Sequence, residues 1–306
     1  MFDRRTLLTG LVSLPFVAPA ALAQPNRRST ETAELHTRPI AGIGPVPVVG
    51  IGTTGSYRNA QEETQLAPLR DTMKRFVELG GRLYDTAPSY GRAEEVIGQL
   101  ATELRLRDKL ILATKVGADG KEAGAAQIED SFKKLRTNRI DLFQVHNLRD
   151  TDNQLATLRD LKAQGRVRAL GITTSFDGQY EQFEAVMRRQ QLDTIQVDYA
   201  LDNRGAERIL SLALEKKIAP LINLPFGRGR LFQATNGKPL PDWAKEIDTT
   251  SWAQIFLKYI LAHPSQPIVI PGTGQVRHIE DNMAAGRGRL PDAAMRRRME
   301  QFIDEL

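Results

Sequence analysis

Eight short apolar runs alternate with amphipathic stretches along the 306 residues, and no other feature limits the fold as much. The strand-like runs are Val46–Thr53, Arg82–Ala87, Leu110–Gly117, Ile140–His146, Ala169–Thr174, Thr194–Tyr199, Ala219–Leu224 and Ile268–Pro271. Between them lie helical patterns: Leu66–Leu79, Ala93–Leu104, Ile128–Leu135, Leu155–Gln164, Tyr180–Arg189, Ala206–Lys217 and Trp252–Ala262. Gly80-Gly81 and Gly165 mark helix stops. Strands joined through helices lie parallel, with both faces of the sheet covered. A doubly wound open sheet would need a Gly-x-Gly-x-x-Gly turn after an early strand to hold a dinucleotide, and none is present. The expected fold is therefore α/β, a (β/α)8 TIM barrel over residues 35–306. Leu35–Ile40 and Pro47–Gly52 bracket a Gly-Pro turn, which predicts a hairpin closing the barrel floor. Two segments exceed the minimal barrel: the loop Arg228–Asp248, whose Phe232 and Trp243 are expected with Tyr57 after the first strand to form an apolar wall of the substrate pocket, and an extra C-terminal helix over Pro291–Leu306.

Three successive runs end in chemistry. The second leads into Asp85-Thr86-Ala87-Pro88-Ser89-Tyr90-Gly91, the third closes in Lys115, and the fourth ends at His146. In a parallel barrel these side chains meet at the C-terminal rim, where such barrels build their sites. A phenol with an ordinary pKa near ~10 is a poor proton donor at neutral pH, and a cation paired with a carboxylate corrects that. An imidazole beside it orients a carbonyl or relays a proton. The set suits carbonyl reduction.

The order Asp-Thr-Ala-x-x-Tyr-Gly, then Lys, then His resembles the aldo-keto reductase superfamily over nearly all of the chain. The resemblance implies that Tyr90 is the proton donor, that Lys115 and Asp85 tune it, and that His146 positions the substrate oxygen. It also implies NADP(H) as cofactor and no metal site. Ile270-Pro271-Gly272-Thr273-Gly274 opens a helix carrying Arg277 and Asn282. By the same resemblance Gly272, Thr273 and Gly274 meet the 2′-phosphate, Arg277 adds a cation, and Asn282 faces the adenine. A helix N-terminus is a physically apt anion site. Gln196, with Thr173 and Thr174, is expected at the nicotinamide carboxamide, and Pro225 and Gly227 along the cofactor. Two positions depart from the family. Thr173-Thr174 stands where Ser-Asn is common, and Asn223 replaces an aromatic ring expected under the nicotinamide.

Residues 1–23 resemble a twin-arginine export signal. Arg4-Arg5 precede a mildly apolar run interrupted by Gly10, Pro15 and Pro19, and Ala21-Leu22-Ala23 offers small residues for cleavage. The run is too short for a spanning helix, so no stable membrane anchor is expected. Residues 24–34 read as a polar linker. Asp3, Arg4 and Arg5 carry +1 of the chain's +5, which leaves +4 after cleavage. The remaining basic residues are scattered, with no aromatic-interleaved stripe for nucleic acid. Zero cysteines suits an oxidising compartment without requiring it. The expected protein is thus a periplasmic NADPH-dependent reductase of an aldehyde or ketone, a small-molecule carbonyl substrate, exported by the twin-arginine machinery. The alternative is a non-catalytic nucleotide- or ligand-binding barrel that regulates a partner.

Overall fold

A computed structural model of the chain describes residues 33–306, so the signal and most of the linker lie outside the described residues. An antiparallel hairpin, β1 (Thr37–Ile40) and β2 (Gly44–Pro47), leads into eight parallel strands. These are β3 (Ile51–Gly52), β4 (Leu83–Asp85), β5 (Ile111–Val116), β6 (Ile140–His146), β7 (Val167–Thr173), β8 (Thr194–Asp198), β9 (Ala219–Asn223) and β10 (Ile268–Val269). They neighbour one another in chain order, and parallel bridges Val49↔Val269 and Gly52↔Gly272 close the ring. The (β/α)8 barrel, its N-terminal hairpin and its extra C-terminal helix are all present.

Each strand feeds a helix that covers the barrel. In order these are α1 (Glu63–Glu78), α2 (Ala93–Glu103), α3 (Lys121–Lys134), α4 (Thr151–Ala163), α5 (Tyr180–Arg189) and α6 (Glu207–Lys216). The short α7 (Arg230–Ala234) follows, then α8 (Trp252–Leu261), α9 (Val276–Ala285) and α10 (Ala293–Asp304). α1 ends as its glycines predict: Gly80 is left-handed at φ +91°, and the Gly81 amide bonds back to the Phe76 carbonyl at 2.8 Å. α10 starts at Ala293 rather than Pro291, because the Asp292 carboxylate caps it by accepting the Met295 amide at 2.8 Å. α3 starts at Lys121, seven residues before the expected Ile128. Its first two turns are polar or small and bury only Gly124, so they carry no apolar stripe.

The first barrel strand is shorter than expected. Val46 and Pro47 belong to the hairpin, paired with Arg38 and Thr37, and only Ile51–Gly52 continues as barrel strand. Pro47 has no N–H to donate to a ladder, so the chain leaves the hairpin there and enters the barrel. At the far edge Pro271 ends β10 early for the same reason, although its carbonyl still accepts the Gly52 amide at 3.2 Å.

The period of two along each strand decides what enters the barrel. Leu83, Ile111, Ala113, Leu142, Ala169, Leu221, Ile268 and Ile270 form one buried cluster with Ile40 and Val46, so the hairpin seals the floor. Arg168 ties that hairpin down, donating to the carbonyls of Gly42 (3.0 Å) and Ile43 (2.9 Å). The other face of the strands packs on the helices. Phe76 of α1, for example, meets Tyr84 edge-on at 5.5 Å.

Candidate active site

Carrying the same parity to the strand ends puts Asp85, Lys115, His146, Thr173, Gln196, Asn223 and Gly272 on the interior side of seven successive strand ends. Six of them lie two or four residues beyond a barrel-floor residue, and Gln196 stands level with Thr173 and Leu221 in the sheet register. Lys115 Nζ donates to Asp85 Oδ2 at 2.8 Å and to the Thr86 carbonyl at 2.7 Å. Gln196 Nε2 reaches the same Asp85 oxygen at 3.3 Å. The lysine and aspartate side chains are only 1% and 3% exposed. The ammonium sits 5.1 Å from the centre of the Tyr90 ring, and His146 meets that ring edge-on at 5.9 Å. The four residues expected to carry the chemistry are thus gathered at one mouth.

Two loops set this geometry. After β4 the Tyr90 amide turns back to the Ala87 carbonyl at 3.0 Å, and Gly91 follows at φ +61°. A side chain on Gly91 would stand 2.5 Å from the Arg58 carbonyl, so glycine is needed for the close approach. After β6, Asn147 and Leu148 are both left-handed, at φ +53° and +56°. Non-glycine residues in that region carry strain, which concentrates at sites of function.

Burial opposes the Lys115 charge, but the Asp85 carboxylate and the Tyr90 phenol outweigh it and hold the ammonium above the ordinary lysine range. His146 moves the other way. Burial, with the Lys115 charge, lowers it to about 3, so its imidazole is neutral at neutral pH. Its Nδ1 lies 3.5 Å from Ser89 Oγ.

Above this set opens a cleft of about 560 Å³, with Asp85, Tyr90, His146, Gln196, Pro225 and Gly272 among its walls. A second cavity of about 350 Å³, floored by Gly117 and Gln127, continues past Ser89 and His146. Gln196 Oε1 and Asn223 Oδ1 are buried without a hydrogen-bond partner, and both residues line the main cleft.

Not every expected cofactor residue meets this cleft. Thr173 is buried between His146 and Gln196 in the sheet register. Thr174 has the opposite parity and turns away; its hydroxyl donates to Gln179 Oε1 at 2.5 Å and accepts the Phe176 amide at 3.1 Å. Gly227 is walled by Asp202, whose carboxylate would stand 2.4 Å from a side chain there. Thr273, Gly274, Arg277 and Asn282 lie beyond the cleft walls, in the turn after β10 and along α9. Gly274 packs against Ser56 and Leu69, Arg277 is exposed and bonds Gln275 at 3.0 Å, and Asn282 is buried.

The aromatic wall is also different from expectation. Tyr57 is fully buried, 3.4 Å from the Tyr84 hydroxyl, and Trp243 packs edge-on against Phe302 at 6.0 Å. The ring that does line the cleft is Phe226, backed by Phe232 at 4.9 Å and Phe256 at 6.5 Å. Sequence reading also missed Arg58, Ser89, Asn147 and Ser175 as wall residues. Ser175 was accessible from parity alone, since it is the next inward position after Thr173.

The Aldo/keto reductase family model matches residues 48–302. The chain is 33% identical over 220 residues to aldo-keto reductase YhdN of Bacillus subtilis, covering 65% of this chain and 63% of that relative. It is 29% identical over 260 residues to methylglyoxal reductase YeaE of Escherichia coli, covering 82% and 89%. In fold it is similar to an aldo-keto reductase from Klebsiella pneumoniae solved with NADPH (TM-score 0.73, 23% identity, 88% and 95% covered). The holo form of an aldo-keto reductase from Bacillus halodurans is similar too (TM-score 0.70, 23% identity, 88% and 96% covered). The chain belongs to the aldo/keto reductase family, and it is an oxidoreductase.

Proposed function

We propose that the protein reduces an aldehyde or ketone to the alcohol with NADPH, using Tyr90, Lys115, Asp85 and His146. One observation carries this reading: a buried Lys115–Asp85 pair beneath a phenol, beside an imidazole that stays neutral. A barrel that only held a ligand would gain nothing from a buried ion pair, which costs desolvation and stabilises little. In the cleft the substrate carbonyl oxygen accepts hydrogen bonds from Tyr90 and His146. NADPH, when bound, supplies the hydride that the carbonyl carbon receives. Tyr90 gives its proton to the oxygen as the C=O becomes C–OH, and the Lys115 ammonium favours the phenolate left behind. Asp85 keeps that ammonium charged and aimed.

The residues present fit such a nucleotide. Gln196 Oε1 and Asn223 Oδ1, both lacking partners, suit the two N–H donors of the nicotinamide carboxamide. No side chain caps α9 at Gln275, so its first amides are free for a phosphate, with Thr273, Gly274 and Arg277 alongside and Asn282 further on for the adenine. Arg277 in contact with the extra phosphate would add roughly 1.5–3 kcal/mol of preference for NADP over NAD. Residues 1–23 complete the reading as a twin-arginine signal that exports the folded chain to the periplasm. The test is a titration with NADPH and NADH, read by tryptophan fluorescence, followed by a panel of aldehydes and ketones. NADPH should bind at least about tenfold tighter and be oxidised only when a carbonyl compound is present. Equal affinities would remove the phosphate-site assignment, and no turnover across the panel would count against the reductase.

A further inference from the structure

The walls of the main cleft carry three ionised side chains, Arg58, Asp85 and Arg228. Asp85 is spent on Lys115. Arg228 shares a neighbouring cleft with Asp177, Asp198 and Asp202, and its charge acts on Asp198 there. Arg149, in the side cavity, pairs with Asp119. His146 is neutral. Among the described residues no carboxylate lies within 4.0 Å of Arg58, which leaves it the one uncompensated cation on the tetrad's side of the mouth.

Its position is built rather than incidental. The Arg58 amide bonds the Gly55 carbonyl at 3.0 Å, and the Arg58 carbonyl accepts the Arg92 amide at 2.9 Å. The side chain's stem crosses Gly91, where an added methyl would stand 3.0 Å from Cγ. One guanidinium nitrogen, Nη1, donates to the Ser89 carbonyl at 3.2 Å. Ser89 in turn precedes Tyr90 and touches His146. The exposed guanidinium is therefore anchored to the Tyr90 loop on the wall of the same cleft, with its remaining N–H donors free among the described residues.

We propose that the substrate is an oxo acid, an aldehyde or ketone that also bears a carboxylate, and that Arg58 receives the carboxylate while Tyr90 and His146 hold the carbonyl. This rests on the reductase reading above. A planar fork with one donor engaged matches a single carboxylate, which two parallel N–H donors meet bidentately.

The experiment compares 4-carboxybenzaldehyde with its neutral ester, methyl 4-formylbenzoate, using the full protein and NADPH. The wild type should favour the acid in kcat/KM, and that preference should weaken as salt is raised. In Arg58→Gln the KM for the acid should rise roughly ten- to hundredfold with little change in kcat, and the preference should vanish. Arg58→Lys should recover part of it. Titration calorimetry with the product, 4-(hydroxymethyl)benzoate, gives a readout that needs no turnover, and its affinity should fall by a similar factor in Arg58→Gln. An unchanged preference and unchanged product affinity in Arg58→Gln, or a wild type that favours the ester, overturns the proposal. Should neither aldehyde be reduced, calorimetry with the product still decides on Arg58, and the panel of aldehydes and ketones decides on the reductase reading.

Discussion

His146 is a base kept from protonating. In an unfolded chain its imidazole takes up a proton near the ordinary histidine pKa of ~6.5, whereas in the fold burial and Lys115 lower that to about 3. Between those values the unfolded state binds the extra proton, so stability must rise with pH through that window and be lost as pH falls from ~6.5 toward 3. Urea melts across that range should show a steeper loss for the wild type than for His146→Gln; parallel pH slopes would mean the imidazole is not held neutral. At this scale the sequence was legible where strand parity and motif agree, as at Asp85, Lys115, His146 and Gln196. It misled at Thr174, which sits beside an inward residue in sequence but points outward by the period of two. It was silent on Arg58, because nothing in the sequence brings the turn after β3 against the Tyr90 loop.

Among the elements, the loop between β9 and α8 departs most from expectation. Read as an open pocket-shaping segment, it forms α7 and a short 3-10 turn over Asp242–Ile247, pinned by stacked rings. Trp252 at the start of α8 stacks on Phe302 of α10 at 5.9 Å and donates to the Lys238 carbonyl at 3.1 Å, and Trp243 of the loop meets Phe302 edge-on at 6.0 Å, which ties the loop to both helices. Such contacts lie far apart in sequence and leave no local pattern to read. The strand-helix alternation, in contrast, is local, and every barrel strand was recognisable from its apolar run. Lys258 adds a second pin. Fully buried on α8, it donates to the carbonyls of Ile247 (2.7 Å), Arg287 (2.8 Å) and Arg289 (2.7 Å), while burial lowers its pKa to about 8. Lys258→Met keeps the stem and strands three acceptors, so it should destabilise by roughly 3 kcal/mol or more. A chemical denaturation midpoint within error of the wild type would show that the three carbonyls find other partners.

On the scale of the whole molecule, the barrel separates stability from chemistry: the hairpin and floor cluster seal one end, and the reacting groups stand at the other. The proposed twin-arginine export would move this assembly already folded. Arg4→Lys with Arg5→Lys should then leave an unprocessed precursor in the cytoplasm, and normal processing near Gln24 in that variant would assign the general secretory route instead. The central claim is that Tyr90 delivers the proton while carbonyl carbon is reduced, an interaction made mainly in the transition state. It is tested most directly by following carbonyl-dependent NADPH oxidation in Tyr90→Phe beside NADPH affinity measured on the same protein. The expected result is a loss of about 100-fold or more in kcat with affinity almost unchanged. Near wild-type turnover in that variant would contradict it.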